Sequence, residues 1–171
     1  MSLTIRPARP GEAPLVLGFV RELAEYEKLL HECVATEPDI DAALFGPAPS
    51  VFCDIAEWDG EPVGFALWFP NFSTFSGRHG IYLEDLFVRP SHRGKGIGKA
   101  LMVRLAQTCI ERGWSRFQLS VLDWNAPSIA FYRSIGAVLM DDWTVCRVGG
   151  DALAALARKP LAREPIAEGQ R

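Results

Sequence analysis

At 171 residues, with 49% hydrophobic and 23% charged side chains, the chain has the size and composition of one globular domain. No run approaches the ~20 apolar residues that cross a bilayer, the start MSLTIRPARPGEAP lacks a signal peptide's apolar segment, and the net charge of −3 argues against nucleic acid, so a cytoplasmic protein with neither membrane nor nucleic-acid partner is expected. Cys33, Cys53, Cys109 and Cys146 form no C-x-x-C clip, His31, His79 and His92 show no ligand spacing, and no metal is expected.

In chain order, Leu3 to Arg6 reads as a strand ended by Pro7, and a helix from Gly11 carries Leu15, Phe19, Leu23 and Tyr26 as one apolar stripe. Thr36 and Asp39 form a capping pair that opens a second helix, closed by Gly46-Pro47. Val51–Trp58 and Val63–Phe69 read as a hairpin around Asp59-Gly60, with a loop over Pro70–Gly80. Tyr82–Val88 is a central strand stopped at Arg89-Pro90. Ile97–Arg112 follows as a long helix with Leu101, Leu105 and Cys109 inward and Gly113 past its end. Arg116–Leu122 then pairs parallel to Tyr82–Val88 if the helix is a right-handed crossover. Asn125 caps a helix through Ile135, Val138–Met140 and Thr144–Val148 are expected to complete the sheet, and Asp151–Ala157 is a short helix. One domain over residues 1–157 and a flexible tail over 158–171 are expected.

The chemistry concentrates between the central strand and the long helix. Gly94, Gly96 and Gly98 recur at every second position there, and a strand, a glycine turn and a helix N-terminus leave backbone N–H groups free to receive phosphate. Arg89, His92, Arg93, Lys95 and Lys99 add positive charge. The Walker pattern fails because Ala100 follows Lys99, and G-x-G-x-G is not the dinucleotide fingerprint. Carboxylates gather elsewhere, at Glu22, Glu25 and Glu27 and at Glu84 and Asp85. That separation suggests an anionic cofactor and a cationic substrate.

The string R-x-x-G-x-G, met by Arg93, Gly96 and Gly98, resembles the acyl-CoA pyrophosphate loop of the GCN5-related N-acetyltransferases (GNAT). RELAEYEKL at Arg21 to Leu29, YLEDLFV at Tyr82 to Val88 and VLDWN…FY…GA from Val121 to Ala137 resemble the diamine (spermidine/spermine) and thialysine N-acetyltransferases of that superfamily. The resemblance extends from about Ile5 to Ala157. It implies the α/β acyl-CoA N-acyltransferase fold, with a mixed, mostly antiparallel sheet, a splayed parallel pair and helices on both faces. It also implies an enzyme, an acetyl-CoA-dependent N-acetyltransferase acting on a small amine, and a homodimer.

Residue by residue, the resemblance assigns the thioester to the amides of Leu86, Phe87 and Val88. It assigns the pyrophosphate to Arg93, Gly94, Lys95, Gly96, Ile97, Gly98 and Lys99, and the pantetheine or adenosine side to Asn125 and Ser128. Tyr132 matches the tyrosine that protonates the coenzyme A sulfur. Glu84 matches the acid that attracts the ammonium and takes its proton, and Tyr26, Glu27 and Asp85 fall at or beside positions that meet the amine. One departure bears on the substrate. The loop NFSTFSG places Phe75 near the tryptophan of the diamine enzymes and has no acid, which favours an amine with one or two charges over a polyamine. The alternatives are acetylation of a protein lysine and a non-catalytic acyl-CoA sensor.

Overall fold

The computed structural model describes residues 2–160. Residues Met1–Ile135 form one compact unit and those from Gly136 a second. The tail expected over 158–171 lies, from residue 161, outside the described residues.

The first unit is built on a five-stranded sheet in the order β1-β2-β3-β4-β5. The strands are β1 (Leu3–Pro7), β2 (Phe52–Trp58), β3 (Glu61–Ser73), β4 (Arg78–Val88) and β5 (Phe117–Leu119). The first three pairings are antiparallel, and β4 with β5 is parallel, as a helical crossover requires. Asp59 and Gly60 both have positive φ, 51° and 85°, the backbone of a tight hairpin turn whose twist matches its strands.

Helices cover both faces. On one side lie α1 (Ala13–Tyr26) and α2 (Glu37–Phe45), and Val16, Phe19 and Leu44 pack with Cys53, Ile55, Phe65, Leu67 and Phe87. Phe19 stacks on Phe65 at 5.4 Å between ring centres. On the other side lies α3 (Ile97–Glu111), with Ile97, Leu101, Met102 and Leu105 buried. Its Arg104 reaches Asp54, whose strand neighbours Cys53 and Ile55 face α1, so alternation along β2 puts α3 opposite. The predicted capping pair is present, with the Thr36 N–H donating to Asp39 Oδ2 at 2.9 Å. A fourth helix, α4 (Ala126–Ser134), starts at Asn125, whose side chain accepts from the Ser128 N–H.

Three expectations need correction. Pro70–Gly80 is not a loop, because β3 continues through Pro70 to Ser73 and β4 starts at Arg78. Pro70 is tolerated there for a local reason. The Ile81 N–H opposite it points away from β3, to Arg116 O, and β2 pairs β3 only as far as Trp68, so no neighbour needs a donor from residue 70. The strand expected over Arg116–Leu122 shrinks to Phe117–Leu119.

The strands expected over Val138–Met140 and Thr144–Val148 do not form among the described residues. Val138 and Val145 are about four-fifths exposed, at 80% and 79%. β-Favouring residues without a partner ladder have nothing to pair with. The second unit contributes a turn, with the Trp143 N–H donating to Met140 O, and a helix α5 (Gly150–Ala157) exposed along its length.

Candidate active site

β4 and β5 part company in the middle of the molecule. Their parallel register ends at Leu83 with Leu119, yet β4 runs on to Val88. Near the end of β4 the Arg89 N–H donates to Val63 O on β3. Alternation then directs the Phe87 amide to β3 and leaves the Leu86 and Val88 amides facing the side that β5 has vacated. Of the three expected oxyanion donors, these two have the orientation for it.

The chain then passes a single turn of 3-10 helix, Pro90–His92, and enters the glycine loop. Gly94 and Gly96 sit at φ of 77° and 82°, backbone that side chains rarely adopt, and a Cβ on either would meet nothing within 4 Å. Gly96 is the N-cap of α3, so the unpaired N–H groups of that helix's first turn look out over open space. Charge, curvature and free amides here fit a pyrophosphate. Lys99 is exposed and available. Lys95 lies over the Trp58 ring at 5.2 Å. Arg89 is spent elsewhere: its guanidinium holds Glu22 of α1 at 2.8 Å, tying helix to strand end.

Arg93 bridges the two halves of the site. Its Nε donates to Val88 O at 2.9 Å, and its guanidinium lies 4.6 Å from the Tyr26 ring centre and 5.5 Å from that of Phe87. The Tyr26 hydroxyl donates to Asn125 Oδ1 at 3.2 Å, and its ring lies 6.2 Å from Trp124. Tyr26, expected at the amine, is thus bound to the residues expected at the cofactor. Asn125 is 4% exposed and splits one oxygen between Tyr26 and the start of α4, where Ser128 supplies its backbone N–H.

The amine side is assembled from the end of α1, the middle of β4 and α4. The helix α1 closes with the Lys28 N–H on Glu25 O and the Leu29 N–H on Ala24 O, and Lys28 takes φ of 62° where glycine is usual. That closure fixes Glu27, half-buried, with its carboxyl pKa raised by burial. On β4 the register skips, because Leu67 faces Asp85 and Trp68 faces Leu83, so Glu84 is an extra residue in a bulge. The bulge leaves Glu84 exposed and Asp85 half-buried opposite Leu67.

Asp85 is the perturbed group. Burial, then the charges of Glu84 and Glu27, push its pKa up to about 7. Its carboxyl has no hydrogen-bond or salt-bridge partner among the described residues. Tyr132 on α4 is 9% exposed, and burial, with Glu27 adding, pushes its phenol up to about 12. The charge of Glu27 therefore reaches both Asp85 and Tyr132. The signal for Asp85 was present in the sequence, since adjacent strand residues alternate and one of the Glu84–Asp85 pair must turn inward. Which one depends on a bulge that the sequence does not announce. Trp124, which flanks Tyr26, lies in the VLDWN string, where the sequence marks it by resemblance and not by any chemistry of its own.

Proteins of known kind are similar to this chain in sequence and fold. The family model for the acetyltransferase (GNAT) family matches residues 19–137. A thialysine N-epsilon-acetyltransferase from Sus scrofa is 38% identical over 92% of this chain and 99% of its own. An L-ornithine N5-acetyltransferase from Arabidopsis thaliana is 30% identical, over 89% of this chain and 86% of its own. Among solved structures, an integron cassette protein from the mobile metagenome of V. cholerae superposes with a TM-score of 0.78 at 30% identity, covering 93% of this chain and 99% of that one. With a sheet that splays beside a glycine loop, and with a family match over most of its length, the chain belongs to the acetyltransferase (GNAT) family.

Proposed function

We propose that this enzyme, an N-acetyltransferase, moves acetyl from acetyl-CoA to the terminal amine of a small amino-acid-like or diamine substrate carrying one or two positive charges. The observation that carries the mechanism is the pair Asp85 and Tyr132, a carboxyl that burial raises to about 7, within reach of neutral pH, and a phenol that burial keeps protonated, near 12. Similarity to the thialysine and ornithine enzymes favours the amino-acid-like class.

In this reading Glu27, Glu84 and Asp85 draw in the ammonium, and Asp85 takes its proton. A side-chain amine has a pKa near ~10.4, so handing its proton to an ordinary glutamate near ~4.3 costs about 8 kcal/mol. Asp85 at about 7 cuts that to roughly 5 kcal/mol, and it is the carboxylate that the bulge leaves half-buried while Glu84 is exposed, which makes Asp85 the base. Glu84 remains as an electrostatic anchor at the mouth. The Leu86 and Val88 N–H groups take up the negative charge that develops on the thioester oxygen. The new C–N bond forms as the C–S bond breaks, and the second proton leaving the nitrogen passes to the departing sulfur, giving the N-acetyl amine and coenzyme A as its thiol.

Tyr132 keeps its phenolic proton at physiological pH and donates a hydrogen bond to the departing sulfur. A thiolate, whose thiol has a pKa near ~8.5, is a weaker base than a phenolate whose phenol lies near 12, so the phenol supports the sulfur more than it surrenders its proton outright. The cofactor's phosphates are received by Arg93 and the amides from Gly94 to Lys99, and its pantetheine side by Asn125 and Ser128.

A homodimer is part of the proposal. Val138, Met140, Trp143, Val145 and Val148 are all at least 55% exposed, an apolar run of the kind that a partner covers. A reducing, cytoplasmic setting accords with four free cysteines. Among the described residues no helix is long and apolar enough to cross a membrane.

Mass spectrometry of products tests the reading. Thialysine, lysine or ornithine should gain one acetyl group on the terminal rather than the α-amine. Acetylation only of lysine within a folded protein would overturn it.

A further inference from the structure

A second cavity, of about 210 Å³, lies where β1 ends and β2 begins, between Leu44 and Phe45 of α2 and the last turns of α3, at the end of the sheet away from the splay. That is well above the ~15 Å³ that admits one water and below the ~300 Å³ typical of drug-sized ligands, so its occupant is small. Phe52 and Trp68, stacked at 4.6 Å, form an aromatic wall. Arg104, Thr108 and Arg112, one turn apart along α3, supply another. Asp54 sits at the floor, 5% exposed, accepting from Trp68 Nε1 at 2.9 Å.

The two guanidinium groups have donors to spare. Arg112 lies 5.4 Å from the Phe52 ring centre, 5.5 Å from Trp68 and 4.9 Å from Trp114. Aromatic faces hold it in place, but among the described residues no oxygen accepts from its side chain. Arg104 meets Asp54 and Glu111 only at 3.9 Å each, beyond hydrogen-bond length. Asp54 and Glu111 both answer Arg104, whereas Arg112 has no carboxylate within 4 Å among the described residues, so Arg112 is the cation that leaves room for one more negative charge. A planar carboxylate matches a guanidinium fork, and the ring wall accepts a flat apolar body.

We propose that this cavity binds a small monoanionic carboxylate with an apolar body, at a site separate from acetyl transfer. The sign of the charge sets it apart from the amine site, where three carboxylates converge. A cation would face two guanidinium groups here, and a dianion would add a second charge beside Asp54. The helix α3 joins the two sites, since its N-terminus borders the glycine loop and its last turns border this cavity. Gly98 and Arg112 are about 21 Å apart along it.

The test is calorimetric titration of the whole protein with benzoate, with benzyl alcohol and benzylamine as neutral and cationic counterparts. Benzoate should bind at least about tenfold more tightly than either, with saturating coenzyme A present or absent. Arg112→Gln should weaken benzoate by about tenfold and leave the acetyl-transfer rate unchanged. Equal affinity for benzyl alcohol, or loss of benzoate binding when coenzyme A saturates, would overturn the proposal, the second by placing the anion on the glycine loop. The comparison of the three probes on the unaltered protein stands even where Arg112→Gln fails to fold.

Discussion

Asp85→Asn should make the protein more stable and less active at once. A carboxyl raised from 3.8 to about 7 is ionised above pH 7 at a cost of roughly three pH units, about 4 kcal/mol at 1.36 kcal/mol each. The sign follows from proton binding. Between about pH 4 and 7 the native state holds a proton that the unfolded chain has released, so stability falls as pH rises through that window. Asparagine removes the penalty but buries an amide in an incompletely paired place, at about 1–2 kcal/mol. The expected net gain at pH 8 is about 2–3 kcal/mol, read as a rise of roughly 1 M in the urea midpoint. Below pH 7 the gain should shrink by about 1.4 kcal/mol per pH unit. In steady-state assays at pH 8 the same variant should lose about 10²–10⁴ in kcat, and the acid limb of the native kcat/KM profile, centred near 7, should vanish. A variant less stable than the native protein at pH 8, or a gain that does not change with pH, would refute the burial argument.

Tyr132→Phe should lower kcat by about 10²–10³ while leaving the KM for the amine within about twofold, and an unchanged kcat would remove the phenol from the mechanism. Lys28→Gly should raise stability by about 1 kcal/mol in urea unfolding, because it relieves the left-handed backbone that closes α1, and a loss of stability would show that the Lys28 side chain contributes more than the strain costs.

The parts of this protein that were legible in the sequence are those settled within a few residues. The Thr36–Asp39 cap, the Asp59-Gly60 turn and the run from β4 through Gly94 and Gly96 into α3 each depend on local backbone chemistry, and each is present. The pairing of β4 with β5 followed from a chirality rule and the length of one helix. What the sequence concealed depends on distant partners. Pro70 reads as a strand breaker until the absence of neighbours needing its N–H is known. Val138 to Val148 has the composition of strands but no ladder among the described residues. The inward turn of Asp85 needs a bulge at Glu84, and its raised pKa draws in part on Glu27 at the end of α1, 58 positions earlier in the chain. Local rules named the candidate acids, and only packing ranked them.

Coenzyme A release over thialysine, lysine, ornithine, putrescine, spermidine and spermine at saturating acetyl-CoA is the most direct test of amine acetylation at this cleft. The three amino acids should give the highest kcat/KM, putrescine less, and spermidine and spermine the least, as a site without an acid in the Phe72–Phe75 segment predicts. Release with none of these amines, in a protein that still binds acetyl-CoA tightly, would contradict catalysis at this cleft.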